Sequence, residues 1–386
     1  MTKHTAKSSE NKGHNPPADL EIDSLRSFPS IYIYGTGSVA TDTCNLLRSL
    51  GARVSAFLDR APNTNKYRHN IPLYNAEMNS VSLLDRSEAL VMIAIFNPHV
   101  DLQSIKSYLA HAGWTNLLTF NQYYQIFGDS FGDRYWLTQP EYYEQHSDEM
   151  QTVRSLWKDD KSRAVHDSIA EYRVNPDPEL LQPPDLSDQY FPSDVPGWPS
   201  TLDFVDCGAF DGDTIRSIRA KSLRLRSYVG FEPDAANYKL LVIELKRTTH
   251  KSNCNALALP CATYNETCQL RFQANQGAGS SLTEKGDTVI QCVAIDAAMP
   301  NFPCNLIKMD IEGAEIKSLL GAEMTIRQYV PALAICVYHH PAHIWEIPLL
   351  INSWNLGYRF FLRCHCFNSF DLVMYAVPPK SLKLCE

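Results

Sequence analysis

The chain of 386 residues is longer than one typical domain, and its content of 44% hydrophobic and 20% charged residues is that of a globular protein. Its formal net charge of -8 argues against nucleic acid or an anionic membrane surface as the main partner. The 11 cysteines follow no disulfide or CxxC spacing and the apolar stretches are too short to span a membrane, so we expect a soluble, cytoplasmic protein of two domains.

The N-terminal part of the chain is predicted to hold a tail and a small α/β domain. Residues 1–28 are rich in Ser, Lys, His and Asn, which predicts a disordered tail without a secretory signal. Strands and helices then alternate, which indicates βαβ units, and we interpret residues 29–128 as a Rossmann-like domain with a parallel sheet. The predicted strands are 31–34, 53–58 and 89–96, and the predicted helices are 41–50 and 102–111.

The turn after the first predicted strand is rich in glycine. Residues 35–40 read G-x-G-x-x-A and contain no acid, which is compatible with a bound phosphate, and Asp59 is placed to hold a ribose. Two interpretations remain open: a dinucleotide site, or a tight turn that supports a structural domain.

Residues 129–199 are predicted to connect two domains. The part up to residue 173 is helical and aromatic, and seven prolines follow between Pro176 and Pro199, which exclude a helix or a central strand. We therefore predict a domain boundary in this Pro-rich segment. Its Tyr190-Phe191-Pro192 sequence leaves open whether the segment is an idle linker or lies across an active site.

A second α/β series fills residues 200–386. Only residues 364–370 separate its last two strands, which is too short for a crossover helix and predicts an antiparallel hairpin. The predicted strands are 202–206, 228–231, 256–262, 306–309, 333–338, 359–362 and 372–376, and the predicted helices are 235–246, 315–328 and 344–354.

The first strand of this series ends in an acidic loop. Asp206, Asp211 and Asp213 surround Gly208, and the second strand ends in Glu232, which is placed to accept hydrogen bonds from ribose hydroxyls. A pyrophosphate is disfavoured here, because one like-charge pair about 4 Å apart costs roughly 4 kcal/mol at an effective dielectric near 20. The sulfonium and ammonium of S-adenosylmethionine suit the loop instead. Capping of the following helix is the alternative role for Asp211 and Asp213.

A third cluster of acids follows the strand at 306–309. Asp310 and Glu312 could contact a methyl donor, a metal or the hydroxyl that accepts the methyl group. We expect them to face this acceptor together with His339, whereas Glu315 is expected to favour the start of the next helix. One mechanism uses a carboxylate or His339 as the base, and the other uses a divalent cation. We predict no metal, because the motif supplies only two oxygen ligands and magnesium needs more.

These motifs resemble the FkbM family of methyltransferases over about residues 200–378. The resemblance is carried by DCGA at 206–209 with DG at 211–212, by FEP at 231–233, by KMDIEGAE at 308–315 and by GSSL at 279–282. It implies a Rossmann-like methyltransferase sheet ending in the hairpin, and S-adenosylmethionine-dependent O-methylation of a sugar, glycan or natural-product hydroxyl. We expect the cofactor to contact Asp206, Gly208, Ala209, Asp211, Gly212, Thr214, Glu232, Pro233 and Ser281.

Two other functions remain open at this point. One is an NAD- or sugar-nucleotide-binding enzyme that uses the N-terminal domain, and the other is a non-catalytic nucleotide-binding module. The expected partner is a small-molecule or glycan acceptor, and the sequence predicts no oligomeric state.

Overall fold

The structure is a computed structural model that describes residues 22–61, 67–77, 81–186, 189–249, 254–273, 281–282, 286 and 288–379. Contacts between residues divide the chain into two units, Met1–Gly132 and Asp133–Glu386, which are described separately.

The first unit is built around a six-stranded sheet with strand order β3-β4-β2-β1-β5-β6. All neighbouring strands are parallel except β3, which is antiparallel to β4. This arrangement confirms the predicted Rossmann-like fold. Its elements are α1 (Ile22–Ser27), β1 (Ile31–Tyr34), α2 (Ser38–Ser49), β2 (Val54–Asp59), β3 (Tyr67–Arg68), β4 (Ile71–Asn75), α3 (Leu83–Glu88), β5 (Leu90–Ile93), α4 (Leu102–His111), β6 (Asn116–Thr119) and α5 (Phe120–Phe127).

Helix α1 lies within the segment that the sequence predicts to be a disordered tail. Leu25 in this helix is buried, so the chain is already ordered before residue 29. The prediction rested on the average composition of residues 1–28, and an average does not show that one apolar side chain, Leu25, is buried. Residues 1–21 lie outside the described part of the chain.

The second unit contains a seven-stranded sheet and a smaller four-stranded sheet. Its elements are α6 (Pro140–Gln145), α7 (Ser147–Leu156), α8 (Asp160–Val174), β7 (Thr201–Cys207), α9 (Asp213–Ala220), β8 (Arg224–Phe231), α10 (Ala235–Thr249), β9 (Asn255–Leu259), β10 (Ala262–Thr263), β11 (Cys268–Gln273), β12 (Ser281–Leu282), β13 (Thr288–Val293), α11 (Ile295–Ala298), β14 (Leu306–Met309), α12 (Glu315–Leu320), α13 (Glu323–Tyr329), β15 (Ala332–Cys336), α14 (His343–Ser353), β16 (Arg359–Cys364) and β17 (Leu372–Val377).

The large sheet has strand order β16-β17-β15-β14-β7-β8-β9, and β17 runs antiparallel to both of its neighbours. The other neighbouring strands are parallel. Strands β14, β15 and β17 are buried along their whole length, as expected for strands covered on both faces. The predicted hairpin and the Rossmann-like methyltransferase sheet are confirmed.

The four-stranded sheet, with strand order β10-β13-β11-β12, is absent from the prediction. The predicted strand at 256–262 is in fact two strands, β9 and β10, which belong to different sheets. The core of the small sheet includes Phe272, Ile290 and Cys292, and β11 is otherwise partly exposed. Short, half-exposed strands give a weak periodic signal in the sequence.

The predicted helix at 315–328 is also divided, because the helix is interrupted at Gly321 between α12 and α13. A Cβ atom built on Gly321 would overlap the backbone oxygen of Tyr264. Asp296 then accepts the backbone amides of Met324 (2.9 Å) and Thr325 (2.8 Å) at the start of α13. These contacts come from the small sheet and from α11, which is why local periodicity predicts one helix.

The predicted connector belongs to the second unit from Asp133 onwards, so the division of the structure differs from the predicted boundary in the Pro-rich segment. Buried Arg363 of β16 pairs with Asp159 before α8 (2.7 Å) and with Asp194 of the Pro-rich segment (3.0 Å). Prolines exclude helices and central strands, but an extended chain that packs against a sheet remains compatible with them.

Candidate active site

The carboxyl ends of four neighbouring parallel strands, β15, β14, β7 and β8, lie at one edge of the seven-stranded sheet. Strand β7 ends at Cys207, β8 at Phe231 and β14 at Met309, and a predicted site residue follows each of them. The loop after β15 carries His339. The predicted donor and acceptor residues are therefore brought to the edge at which open α/β sheets bind ligands.

The loop after β7 requires glycine because it packs closely against the end of β14. Gly208 has a φ of +75°, and a Cβ atom there would overlap the backbone oxygen of Asp310. The amides of Gly208 and Ala209 both donate to the carbonyl of Phe231 at 3.0 Å. The sequence predicts that Gly208 allows a ligand to approach the backbone. The structure shows that Gly208 also allows the loop after β7 to pack closely against the loop after β14. Gly212, with a φ of +86°, precedes the first residue of α9.

Asp206 is fully buried and is matched by charge from within the protein. Its Oδ1 lies 3.2 Å from Nζ of Lys308, and its Oδ2 accepts a hydrogen bond of 2.9 Å from the hydroxyl of Tyr228. Lys308 also donates to the carbonyl of Gly208 at 2.6 Å. Burial raises the pKa of Asp206 to about 6, although Lys308 opposes the shift. Because its side chain is 0% exposed, Asp206 supports the loop and is not presented at its surface.

The other two acids of this loop have local partners. Asp211 forms an ion pair of 2.6 Å with Arg216 of α9, and its side chain is 26% exposed. Asp213 is the first residue of α9 and accepts the amide of Thr214 at 2.7 Å. The helix-supporting role that the sequence left open thus describes both acids, although Asp211 keeps an accessible surface. Thr214 is buried.

Glu232 lies directly after β8, buried and held by the backbone. One of its oxygens accepts the amide of Phe210 (2.8 Å) and the other accepts the amide of Asp234 (2.9 Å). Burial raises the pKa of Glu232 to about 7, although the two amide donors oppose the shift. A carboxylate has about four acceptor positions, so two amide bonds leave capacity for further donors. Pro233 follows in the turn; Ser281 lies in β12, but its side chain is outside the described part.

Glu315 is the centre of a buried hydrogen-bond network at the end of β14. Its carboxylate accepts the amides of Ile311 (3.0 Å) and Gly313 (3.1 Å) and lies 2.7 Å from Nδ1 of His339. Burial opposes ionisation, but His339 and His343 hold the pKa of Glu315 well below its usual range. The predicted role at the helix start is therefore incomplete, because Glu315 also fixes the loop and the histidine.

His339 faces the two acids that were predicted to be its neighbours. Its Nε2 lies 3.4 Å from Oδ1 of Asp310 and 3.7 Å from Oε1 of Glu312. Burial alone would lower the pKa of His339, but the carboxylates of Glu315, Glu312 and Asp310 outweigh it and raise the pKa.

A family comparison applies to this same segment. Residues 206–360 match the family model described as the methyltransferase FkbM domain. This segment is an FkbM methyltransferase domain. The chain is also similar to the crystal structure of methyltransferase FkbM from Methylobacillus flagellatus KT, with a TM-score of 0.75 and 20% identity over 92% of each chain, which supports the fold. No curated protein matches the chain.

Two side chains from residues that precede the matched segment also enter the site: Tyr190, for which the sequence left this role open, and Tyr135, which was not predicted. The hydroxyl of Tyr190 donates to Oδ2 of Asp310 at 2.7 Å, and Nζ of Lys308 lies 5.0 Å from the centre of its ring. Tyr135 hydrogen-bonds to Glu312, and its ring lies 5.8 Å from that of His339. Of the two interpretations of the Pro-rich segment, the one that places it across the site is supported at Tyr190.

The glycine turn of the first unit is occupied by its own side chains. Asp59 accepts the amide of Ala61 (3.0 Å) and the hydroxyl of Thr36 (3.4 Å), and Arg68 donates to the carbonyl of Gly37 (3.0 Å). These bonds fit the interpretation of a structural turn.

Among the described helices of the whole chain, none is long and apolar enough to cross a membrane.

Proposed function

We propose that the chain is an S-adenosylmethionine-dependent methyltransferase that modifies a hydroxyl oxygen of a sugar, a glycan or a natural product. The observation that carries this proposal is Glu232, a buried carboxylate that two amides hold beside the glycine loop of an FkbM domain. When bound, the cofactor supplies a methyl group attached to a positively charged sulfur.

The donor set at the ends of β7 and β8 fits this cofactor. Glu232 would accept hydrogen bonds from the ribose hydroxyls, because its remaining lone pairs are free for them. The loop from Gly208 to Gly212 would hold the methionine end, with the exposed part of Asp211 towards the ammonium. Asp206 would act indirectly, since it fixes the loop through Lys308.

The acceptor would lie at the ends of β14 and β15. The side chains of Asp310 and Glu312 are 22% and 15% exposed, so they are accessible, whereas His339 is covered. Holding the hydroxyl in line with the methyl group can contribute roughly 7–11 kcal/mol, and removing its proton adds a factor of about 10²–10⁴. We assign both tasks to this cluster.

Titration calorimetry with S-adenosylmethionine tests the proposal. Glu232→Ala removes a charged hydrogen-bond acceptor worth about 1.5–3 kcal/mol, so affinity is expected to fall roughly 10- to 100-fold. Glu266→Ala is the matched control, because Glu266 is exposed and lies between β10 and β11 of the small sheet. Equal affinities of the two variants, or wild-type protein that does not bind the cofactor, would refute the proposal.

A further inference from the structure

We propose that Asp310, Glu312 and His339 form a binding site for a divalent first-row transition-metal ion, and that Glu315 positions the histidine for it. Within the described residues, these three are the group of His, Cys, Asp and Glu side chains whose ligand atoms come close enough to hold a metal, with all atoms within 4.8 Å of one another. They lie in the loops that follow two adjacent parallel strands, β14 and β15, so the sheet brings these loops together.

The ring nitrogens of His339 give the first reason. Nδ1 lies 2.7 Å from the carboxylate of Glu315, which can only accept, so Nδ1 carries a hydrogen. Nε2 is buried, makes no hydrogen bond within the described part of the chain, and points between Asp310 and Glu312. A buried polar atom needs a partner, and two flanking carboxylates are good neighbours only for something positive.

The second reason is that this arrangement matches how proteins orient metal-binding histidines. A ligand histidine usually donates its other ring N–H to a carboxylate, which fixes the tautomer and the direction of the ring. Glu315 occupies that position and is itself held by the amides of Ile311 and Gly313. It is fully buried and does not reach the proposed ion, so it is a positioning residue.

Both carboxylates are also directed towards the same point. Glu312 has a φ of +54°, a left-handed conformation that non-glycine residues rarely adopt and that is often found at functional sites. The amides of Ile311 and Gly313, on either side of Glu312, donate hydrogen bonds to Glu315 and hold this conformation. In Asp310, the hydroxyl of Tyr190 occupies Oδ2, which leaves Oδ1 on the side of His339.

The ligand set indicates the class of metal. Magnesium and calcium prefer oxygen ligands alone, whereas one imidazole with two carboxylates suits manganese, iron or zinc. If the proposed function is right, the ion would also bind the acceptor hydroxyl and lower its pKa, because Asp310 and Glu312 are reachable from solvent. Metal binding itself does not depend on that function.

Manganese binding to the full-length protein tests the site. After treatment with EDTA and removal of the chelator, Mn²⁺ is titrated in and the free ion is followed by electron paramagnetic resonance, with competition by Zn²⁺ and Mg²⁺. We expect one strong site per chain that Zn²⁺ displaces more readily than Mg²⁺. Absence of strong binding of either Mn²⁺ or Zn²⁺ to wild-type protein would overturn the proposal.

Variants locate the ion. We expect His339→Gln and Glu312→Gln to lose the strong site, and Glu315→Gln to weaken it about 10- to 100-fold. His340→Gln and Glu346→Gln are matched controls, since both residues are exposed nearby. Binding that survives both His339→Gln and Glu312→Gln would show that the ion lies elsewhere. If His339→Gln does not fold, Glu312→Gln decides, because its partly exposed side chain tolerates the change better.

The test of the proposed function is separate. Glu232→Ala is expected to lose affinity for S-adenosylmethionine and to keep the manganese site. Binding of S-adenosylmethionine without metal binding would overturn the metal site alone, and the reverse result would overturn the methyltransferase assignment alone.

Discussion

Replacement of Lys308 by methionine would remove the positive partner of Asp206 at the centre of the site. In the native protein, Nζ of Lys308 lies 3.2 Å from Asp206 and 2.6 Å from the carbonyl of Gly208. The two side chains of the ion pair are 2% and 0% exposed, so water cannot replace the lost ammonium. Breaking such a pair from one side costs about 3–5 kcal/mol, a large part of a total stability of about 5–15 kcal/mol. We therefore expect Lys308→Met to be strongly destabilised.

Urea denaturation followed by tryptophan fluorescence measures this loss in the second unit, because five of the six tryptophans lie within residues 133–386. Lys317→Met is the control, since Lys317 is exposed on α12. Adding Asp206→Asn to Lys308→Met is expected to restore much of the stability, because a neutral pair avoids an unpaired buried charge. A loss below about 1 kcal/mol in Lys308→Met, or no recovery in the double variant, would refute this account of the loop.

Two further predictions concern the donor side of the site. Burial raises the pKa of Glu232 to about 7, so its carboxylate gains charge only as the pH rises through that value, and affinity for S-adenosylmethionine should increase from about pH 6 to pH 8. Calorimetry over this range should give a flat profile for Glu232→Gln, and a flat profile for the wild type would contradict the assignment. Gly208→Ala should lower the melting temperature strongly, because its Cβ would overlap the backbone of Asp310, whereas Gly37→Ala, with open space around it, should not. Equal melting temperatures would contradict the close packing of these loops.

The sequence predicted the sheet edge well because the information is local. Four buried strands that each end in polar residues must bring those residues together if the strands are parallel, and the structure brings Glu232, Asp310 and His339 to the same edge. The predicted hairpin followed equally from the short connection between β16 and β17. Chain connectivity alone limits both outcomes to few possibilities.

The missed residues act over long separations in the sequence. Tyr190 contacts Asp310 across 120 positions, and the Tyr190-Phe191-Pro192 sequence left a place at the site open but did not indicate which residue Tyr190 would contact. Arg363 is similar, because its partner Asp159 lies 204 positions away. Tertiary packing decides such contacts. The proline content of the segment predicted a domain boundary, but it describes only the freedom of the backbone and gives no information on which side chains are buried.

Glu315 shows a different kind of failure. Its place at the first residue of α12 made a favourable dipole interaction a sufficient explanation, and that explanation needs no burial. The structure makes Glu315 fully buried, and an unpaired buried carboxylate is costly, so it requires strong donors. The predicted site already contained such a donor, His339. Residues 308–315 hold three acids, which need cationic partners, and this requirement indicates the pairing of His339 with Glu315.

Charge balance distinguishes the two halves of the site. On the donor side, Asp206 is paired with Lys308 and Asp211 with Arg216, so most of the negative charge that first suggested a cationic ligand is neutralised within the protein. On the proposed acceptor side, the carboxylates of Asp310, Glu312 and Glu315 all lie beside the imidazole ring of His339, and Glu315 also lies 3.3 Å from Nδ1 of His343. Three carboxylates therefore meet two imidazole rings at the ends of β14 and β15. A divalent ion at the ends of β14 and β15, as proposed above, would balance the carboxylates there, and the proposed ribose contact of Glu232 would then provide specificity for the cofactor.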